Sequence, residues 1–183
     1  FMMETNYSYS RSLLNYALEQ RVPFIYASSA SVYGDGRTFT VDTGNERALN
    51  VYAYSKLQFD NYVRRCLERG QESQVVGLRY FNVYGPGEAH KGRMASVIHH
   101  FYGQYLSNGF MNLFEGSDGY EDGGQERDFV YIKDAVAMTL FFYDHPEVNG
   151  LFNIGSGTAR NWNDLARSIF EAMGEKPNIE YID

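Results

Sequence analysis

The chain has 183 residues, a formal net charge of −7 and 44% hydrophobic residues. That is enough apolar material to build a packed core, which excludes a disordered chain, and the acidic balance argues against a nucleic-acid or anionic-membrane surface. The single cysteine, Cys66, allows no intrachain disulfide and reads as a small packing residue in a reducing compartment.

Taken in order, Leu13, Leu14, Ala17 and Leu18 give one face of a first helix that ends near Arg21. Residues 22–27 form a short apolar run, expected to be a buried parallel strand that ends at Ser28-Ser29-Ala30. Gly34-Asp35-Gly36 marks a loop, and a second helix is predicted from about Tyr52 to Arg69, stopped by Gly70. Residues 75–80 form the next strand, and Gly85-Pro86-Gly87 breaks the chain. A helix follows over about 94–106, then an exposed Gly/Asp-rich turn over 118–125, a strand over 129–132, and a helix capped by Asp134 and running to about Tyr143. A strand over 151–154 and a helix over 164–173 complete the pattern. The run from Ala135 to Tyr143 is too short to span a bilayer and the N-terminus does not read as a signal peptide, so a soluble cytoplasmic protein is expected. Strands alternating with helices imply an α/β fold with a mostly parallel sheet and helices on both faces. In such sheets ligands gather beyond the carboxyl ends of the strands.

Chemistry is suggested first by Tyr52 and Lys56, four residues apart and so on one face of the second helix. An ammonium beside a phenol stabilises the phenolate, which makes tyrosine a usable base near neutral pH. The same ammonium can donate to ribose hydroxyls. Alone the pair is a weak signal, because a solvated helix face gives the same spacing. Ser29, at the end of the preceding strand, could hydrogen-bond a reacting hydroxyl, or could simply bond its own backbone.

Together, the stretches over 26–34 (YASSASVYG) and 52–56 (YAYSK) resemble the Ser-Tyr-Lys triad of the extended short-chain dehydrogenase/reductase family, whose members include nucleotide-sugar epimerases. The stretches over 82–86 (NVYGP), 127–131 (RDFVY) and 152–157 (FNIGSG) match that family in order and spacing. Residues 79–96 and 113–117 are similar to its members that act at C6 of an ADP-linked heptose. The resemblance implies a Rossmann-like doubly wound parallel sheet with a smaller substrate-binding lobe. It places 1–81 and 130–155 in the dinucleotide-binding domain, and 82–129 and 156–183 in the lobe. It implies Tyr52, Lys91 and Ser29 as catalytic residues and Lys56, Val83 and Lys91 as cofactor contacts. Asn82, Arg93, His100, Phe114, Glu115, Gly116, Ser117 and Arg127 are implied as substrate contacts. NADP is the implied cofactor, with NAD possible, the implied substrate is an ADP-heptose, and a homo-oligomer is expected. No metal site is expected.

Three positions depart from the family. Arg93 stands where a serine contacts substrate, Thr5 stands where an asparagine contacts cofactor (Asn6 follows), and residues 119–125 form an extra turn ahead of Arg127. The glycine-rich phosphate loop is not found in the sequence, and 155–157 falls too late and lacks a third glycine. The family's first strands are therefore expected ahead of Phe1 and its last segment beyond Asp183, so the 183 residues alone are expected to hold cofactor weakly. The rival readings are a UDP-hexose 4-epimerase and a non-catalytic nucleotide-binding protein on the same fold. Ala30-Ser31 after Ser29 argues against a 4,6-dehydratase, in which an Asp-Glu pair stands there.

Overall fold

The computed structural model describes residues 1–183, which divide into two compact units: Phe1–Phe81 with Asp134–Ile154, and Asn82–Lys133 with Gly155–Asp183. Residues 130–133 and Gly155, assigned from the resemblance to the dinucleotide-binding part, fall in the second unit; the strand that ends at Tyr131 pairs only with strands there.

In the first unit, a π-helical stretch over Glu4–Tyr9 runs into α1 (Ser10–Glu19). Strand β1 (Phe24–Ser29) pairs in parallel with β2 (Val75–Tyr80), and β2 pairs in parallel with β6 (Gly150–Ile154). β1 begins two residues later than expected, since Val22 and Pro23 lie outside the ladder; a proline carries no N–H to donate. Between β1 and β2 runs α2 (Val51–Glu68), started by Asn50, whose Oδ1 accepts from the Ala53 amide at 2.8 Å.

Side chains alternate across each strand. Tyr26, Ser28 and Arg79 turn to α2, where all three bond Asp60. Tyr80 and Phe152 turn to the other face, where α4 (Ile132–Asp144) offers Thr139 and Phe142. Helices thus cover both faces of a parallel sheet. Leu14, Phe59, Val63, Cys66 and Val75 form the apolar core under α1 and α2. Asp134 sits inside the first turn of α4 and does not cap it, because the helix starts directly at the end of the preceding strand.

The second unit holds four strands that the periodicity did not reveal. These are β3 (Asn82–Tyr84), β4 (Met111–Phe114), β7 (Ala159–Asn161) and β8 (Ile179–Ile182), each of three or four residues. β5 (Glu126–Tyr131) pairs in parallel with β3 and antiparallel with β7, and β4 pairs in parallel with β8. A 3-10 stretch over Ala89–Met94 precedes α3 (Val97–Asn108), which therefore begins three residues later than expected, at the Ser96 cap. α5 (Trp162–Ala172) and α3 enclose a core of Phe101, Met111, Leu113, Ala166 and Phe170.

Candidate active site

In the first unit the helical spacing of Tyr52 and Lys56 becomes a spatial pair. The Lys56 Nζ lies 6.0 Å from the Tyr52 ring centroid and donates to the Ala27 carbonyl oxygen at 2.9 Å. One end of α2 is thereby pinned to the carboxyl-terminal part of β1. Burial pulls the Lys56 ammonium below its ordinary value, and the Asp60 charge one turn along the helix works the other way. No carboxylate lies within ion-pair reach of Lys56, so protons remain on its Nζ for a ligand. Ser29 accepts from the Ser31 amide at 3.2 Å, the local bond considered from the sequence, and its hydroxyl proton stays available. Asn6, beside Thr5, donates to Ser55 Oγ at 3.1 Å.

Beneath this pair lies a group the motifs did not reveal. Asp60 and Arg79 are fully buried, and Arg79 joins Asp60 at 2.8 Å and Glu46 at 2.5 Å. Arg64 also pairs with Glu46. The Asp60 Oδ1 accepts from the Tyr26 hydroxyl at 2.8 Å, and its Oδ2 from Ser28 at 2.9 Å. Burial pushes the Asp60 carboxyl up, against the pull of Arg79 and the hydroxyl donors. Burial also opposes the Arg79 charge, but Asp60 and Glu46 outweigh it and hold the guanidinium above its ordinary value. Two carboxylates and two guanidiniums balance each other where an unpaired charge would be costly. The network joins β1, β2, α2 and the segment leading to Tyr52. Its one readable signal was the spacing of Tyr52, Lys56 and Asp60 at every fourth residue.

The other candidate residues lie in the second unit. Val83 sits in β3, in register with Val130. Asn82 donates to the Asp128 carbonyl at 3.0 Å. Lys91 is exposed on the 3-10 stretch, 3.4 Å from Glu88, with Arg93 exposed beside it. His100 is exposed on α3, its ring 6.0 Å from that of His99. Phe114, at the end of β4, is 60% exposed.

The extra turn at 119–125 folds back on residues 114–117. Gly116 N–H donates to Asp122 at 2.8 Å, Gln125 donates to the Glu115 carbonyl at 3.0 Å, and the Tyr120 amide donates to Ser117 O. A side chain at Gly116 would meet Tyr120 O at 2.3 Å, so only glycine fits this approach. The Asp183 charge pushes the Glu115 carboxyl up.

Arg127 lies in β5, next to Asp128. It does not pair with Asp128, which is occupied by the Ser156 amide and hydroxyl and the Gly157 amide, each at 2.8 Å. The Arg127 guanidinium instead lies 5.8 Å from the Trp162 ring and donates to the Glu126 carbonyl at 2.6 Å, with no carboxylate partner. A cation stacked on an aromatic face and free of carboxylates suits an anionic group.

A parallel sheet covered on both faces, with a Tyr/Lys pair pinned to a strand end, defines a Rossmann-like α/β protein. The chain belongs to the NAD dependent epimerase/dehydratase family, whose model matches residues 2–155. It is 54% identical over 182 residues to the ADP-L-glycero-D-manno-heptose-6-epimerase of Alkalilimnicola ehrlichii, a match covering 100% of this chain and 56% of that protein. Among solved structures it is similar to the Helicobacter pylori ADP-L-glycero-D-manno-heptose-6-epimerase, at 36% identity and a TM-score of 0.86, covering 98% of this chain and 54% of that one. It is also similar to a UDP-N-acetylglucosamine 4-epimerase from Methanobrevibacter ruminantium, at 25% identity and a TM-score of 0.82, covering 98% and 56%. The chain thus spans about half the length of these relatives.

Proposed function

We propose that the full-length protein inverts C6 of ADP-glycero-manno-heptose, from the D-glycero to the L-glycero form, by transient oxidation of the 6-hydroxyl to a ketone. The reaction would serve lipopolysaccharide inner-core synthesis, in a cytoplasmic homo-oligomer. The observation that carries the chemistry is the Lys56 ammonium held between the Tyr52 ring and the Ala27 carbonyl. The 54% identity to a protein of that name favours the heptose over other sugars.

NADP, or NAD in its place, supplies the reversible hydride acceptor. Lys56, Val83 and Lys91 are the residues of this chain proposed to hold it, and the uncommitted protons of Lys56 suit ribose hydroxyls. The chain's own task is proton traffic. Tyr52 takes the proton from the hydroxyl of one epimer, assisted by Ser29, and Lys91 returns a proton to the carbonyl oxygen as the other epimer forms. One fixed base cannot serve both orientations of the same oxygen equally well, and two bases can each serve one. Arg127, Asn82, Arg93, His100 and residues 114–117 bind the ADP-sugar, with the Arg127 fork on the diphosphate.

The test is an NMR assay of the full-length protein on ADP-D-glycero-manno-heptose and, separately, on a UDP-hexose. Inversion at C6 of the first and none at C4 of the second is expected. Turnover of the UDP-hexose alone would overturn the assignment.

A further inference from the structure

Glu88 lies in the turn ahead of Lys91, is only 6% exposed, and gathers four contacts from three places in the chain. Its Oε1 accepts from the Gly85 amide at 3.2 Å and from the Ser96 hydroxyl at 2.7 Å. Its Oε2 accepts from the Ser96 amide at 2.8 Å and meets the Lys91 Nζ at 3.4 Å. Its main-chain carbonyl accepts from the Lys91 amide at 2.9 Å. The Ser96 hydroxyl in turn accepts from the His99 amide and caps α3. One carboxylate therefore closes the segment 85–96 on itself and fastens it to the helix that carries His100. Immediately after Lys91 the backbone turns at Gly92, with φ 53° and ψ −125°, a conformation that side chains other than hydrogen rarely adopt. Besides Glu88, the stretch is held by local bonds between the His90 ring and the Gly87 carbonyl at 2.8 Å and from the Ala95 amide to the Gly92 carbonyl at 3.1 Å, neither of which touches the Lys91 side chain, which is otherwise exposed.

We propose that Glu88 is the positioning residue for Lys91: it fixes the 85–96 segment and holds the Lys91 ammonium in place as a proton donor. The proposal rests on the reading of Lys91 as the second acid/base group. Burial alone would raise the Glu88 carboxyl, but the Ser96 and Gly85 donors and the Lys91 charge bring it down to about 2, so it stays anionic throughout the working pH range. Glu88→Gln keeps the shape and sets an NH2 group against either the Ser96 amide and Lys91 or the Gly85 amide and the Ser96 hydroxyl. Donor then faces donor on one side of the segment. Ser96→Ala keeps the Glu88 charge and removes one anchor.

The test uses full-length E88Q, S96A and Lys91→Met, loaded with cofactor. Three readouts are needed: steady-state epimerisation, the single-turnover appearance of reduced cofactor from the epimer whose proton Tyr52 takes, and amide hydrogen exchange over 85–96. E88Q is expected to lose about a hundredfold in epimerisation, to keep its reduced-cofactor burst within about twofold of the parent, and to exchange faster over 85–96. S96A should show the same pattern with a smaller loss, and decides the matter if E88Q does not fold. Parental epimerisation by the folded variant, or equal loss of burst and turnover, would overturn the role of Glu88. Parental turnover by Lys91→Met would instead remove the underlying reading of Lys91.

Discussion

The two units hold their candidate lysines by opposite means. Lys56 rides on an 18-residue helix, half-buried, with Asn50 capping the helix start and the fully buried Asp60–Arg79 pair locking its next turn to the sheet. Lys91 rides on a six-residue 3-10 stretch, 46% exposed at its side chain, next to a glycine at positive φ, and leans on one carboxylate. The first lysine is set by regular structure and buried charge, and the second by a loop that few bonds define. A group that must stay fixed against a strand end suits the first arrangement. A group on a lightly anchored loop depends more on single side chains.

That contrast can be broken or sharpened by substitution. The largest effect is expected from Tyr52→Phe or Lys56→Met in the full-length protein: turnover should fall by about 10²–10⁴ with the fold intact by circular dichroism. Next, Arg79→Met strands the buried carboxylate of Asp60 and leaves Glu46 to Arg64 alone, and should destabilise the first unit by about 3–5 kcal/mol, read as faster hydrogen exchange in β1 and α2. Protection there equal to the parent's would show that the network does not secure α2.

The pH dependence of the second unit should follow Glu88. Its folded value, about 2, lies below the ordinary 4.5, so the ionised form favours the folded state. That contribution is complete above about 4.5 and is lost as pH falls toward about 2. Protection of residues 85–96 should decline over this window in the parent and change much less in E88Q. The smallest effect is expected from Asn50→Ala, at about 1 kcal/mol for a lost helix cap, measurable by denaturant titration of the first unit.

Legibility followed the same division. β2 and the end of α2 could be placed to within a residue, because Val75-Val76-Gly77-Leu78 opens a short apolar run and Gly70 stops the helix. The Tyr52/Lys56 pair could be read from spacing because four residues is close to one helical turn. The short strands β3, β4, β7 and β8 could not, since three or four residues carry too little alternation to rise above loop composition. Asp60 and Arg79 were hidden for a different reason: charged residues are seldom fully buried, and each is buried here only because the other is present. Glu88 could be seen in its motif, but its four contacts come from backbone amides, a serine and a lysine that a folded loop alone brings together. Arg127 and Asp128 are neighbours in the sequence, but they do not pair. The chain instead turns the carboxylate to the Ser156 amide and hydroxyl and to the Gly157 amide, and the guanidinium to Trp162.

The account stands most directly on the proton chemistry of Tyr52 and Lys91. The deciding measurement is NMR-detected inversion at C6 of ADP-D-glycero-manno-heptose by the full-length Tyr52→Phe/Lys91→Met double variant, with folding and cofactor content checked beforehand. The account predicts no inversion over a period in which the parent reaches equilibrium. Inversion at a rate close to the parent's would contradict it.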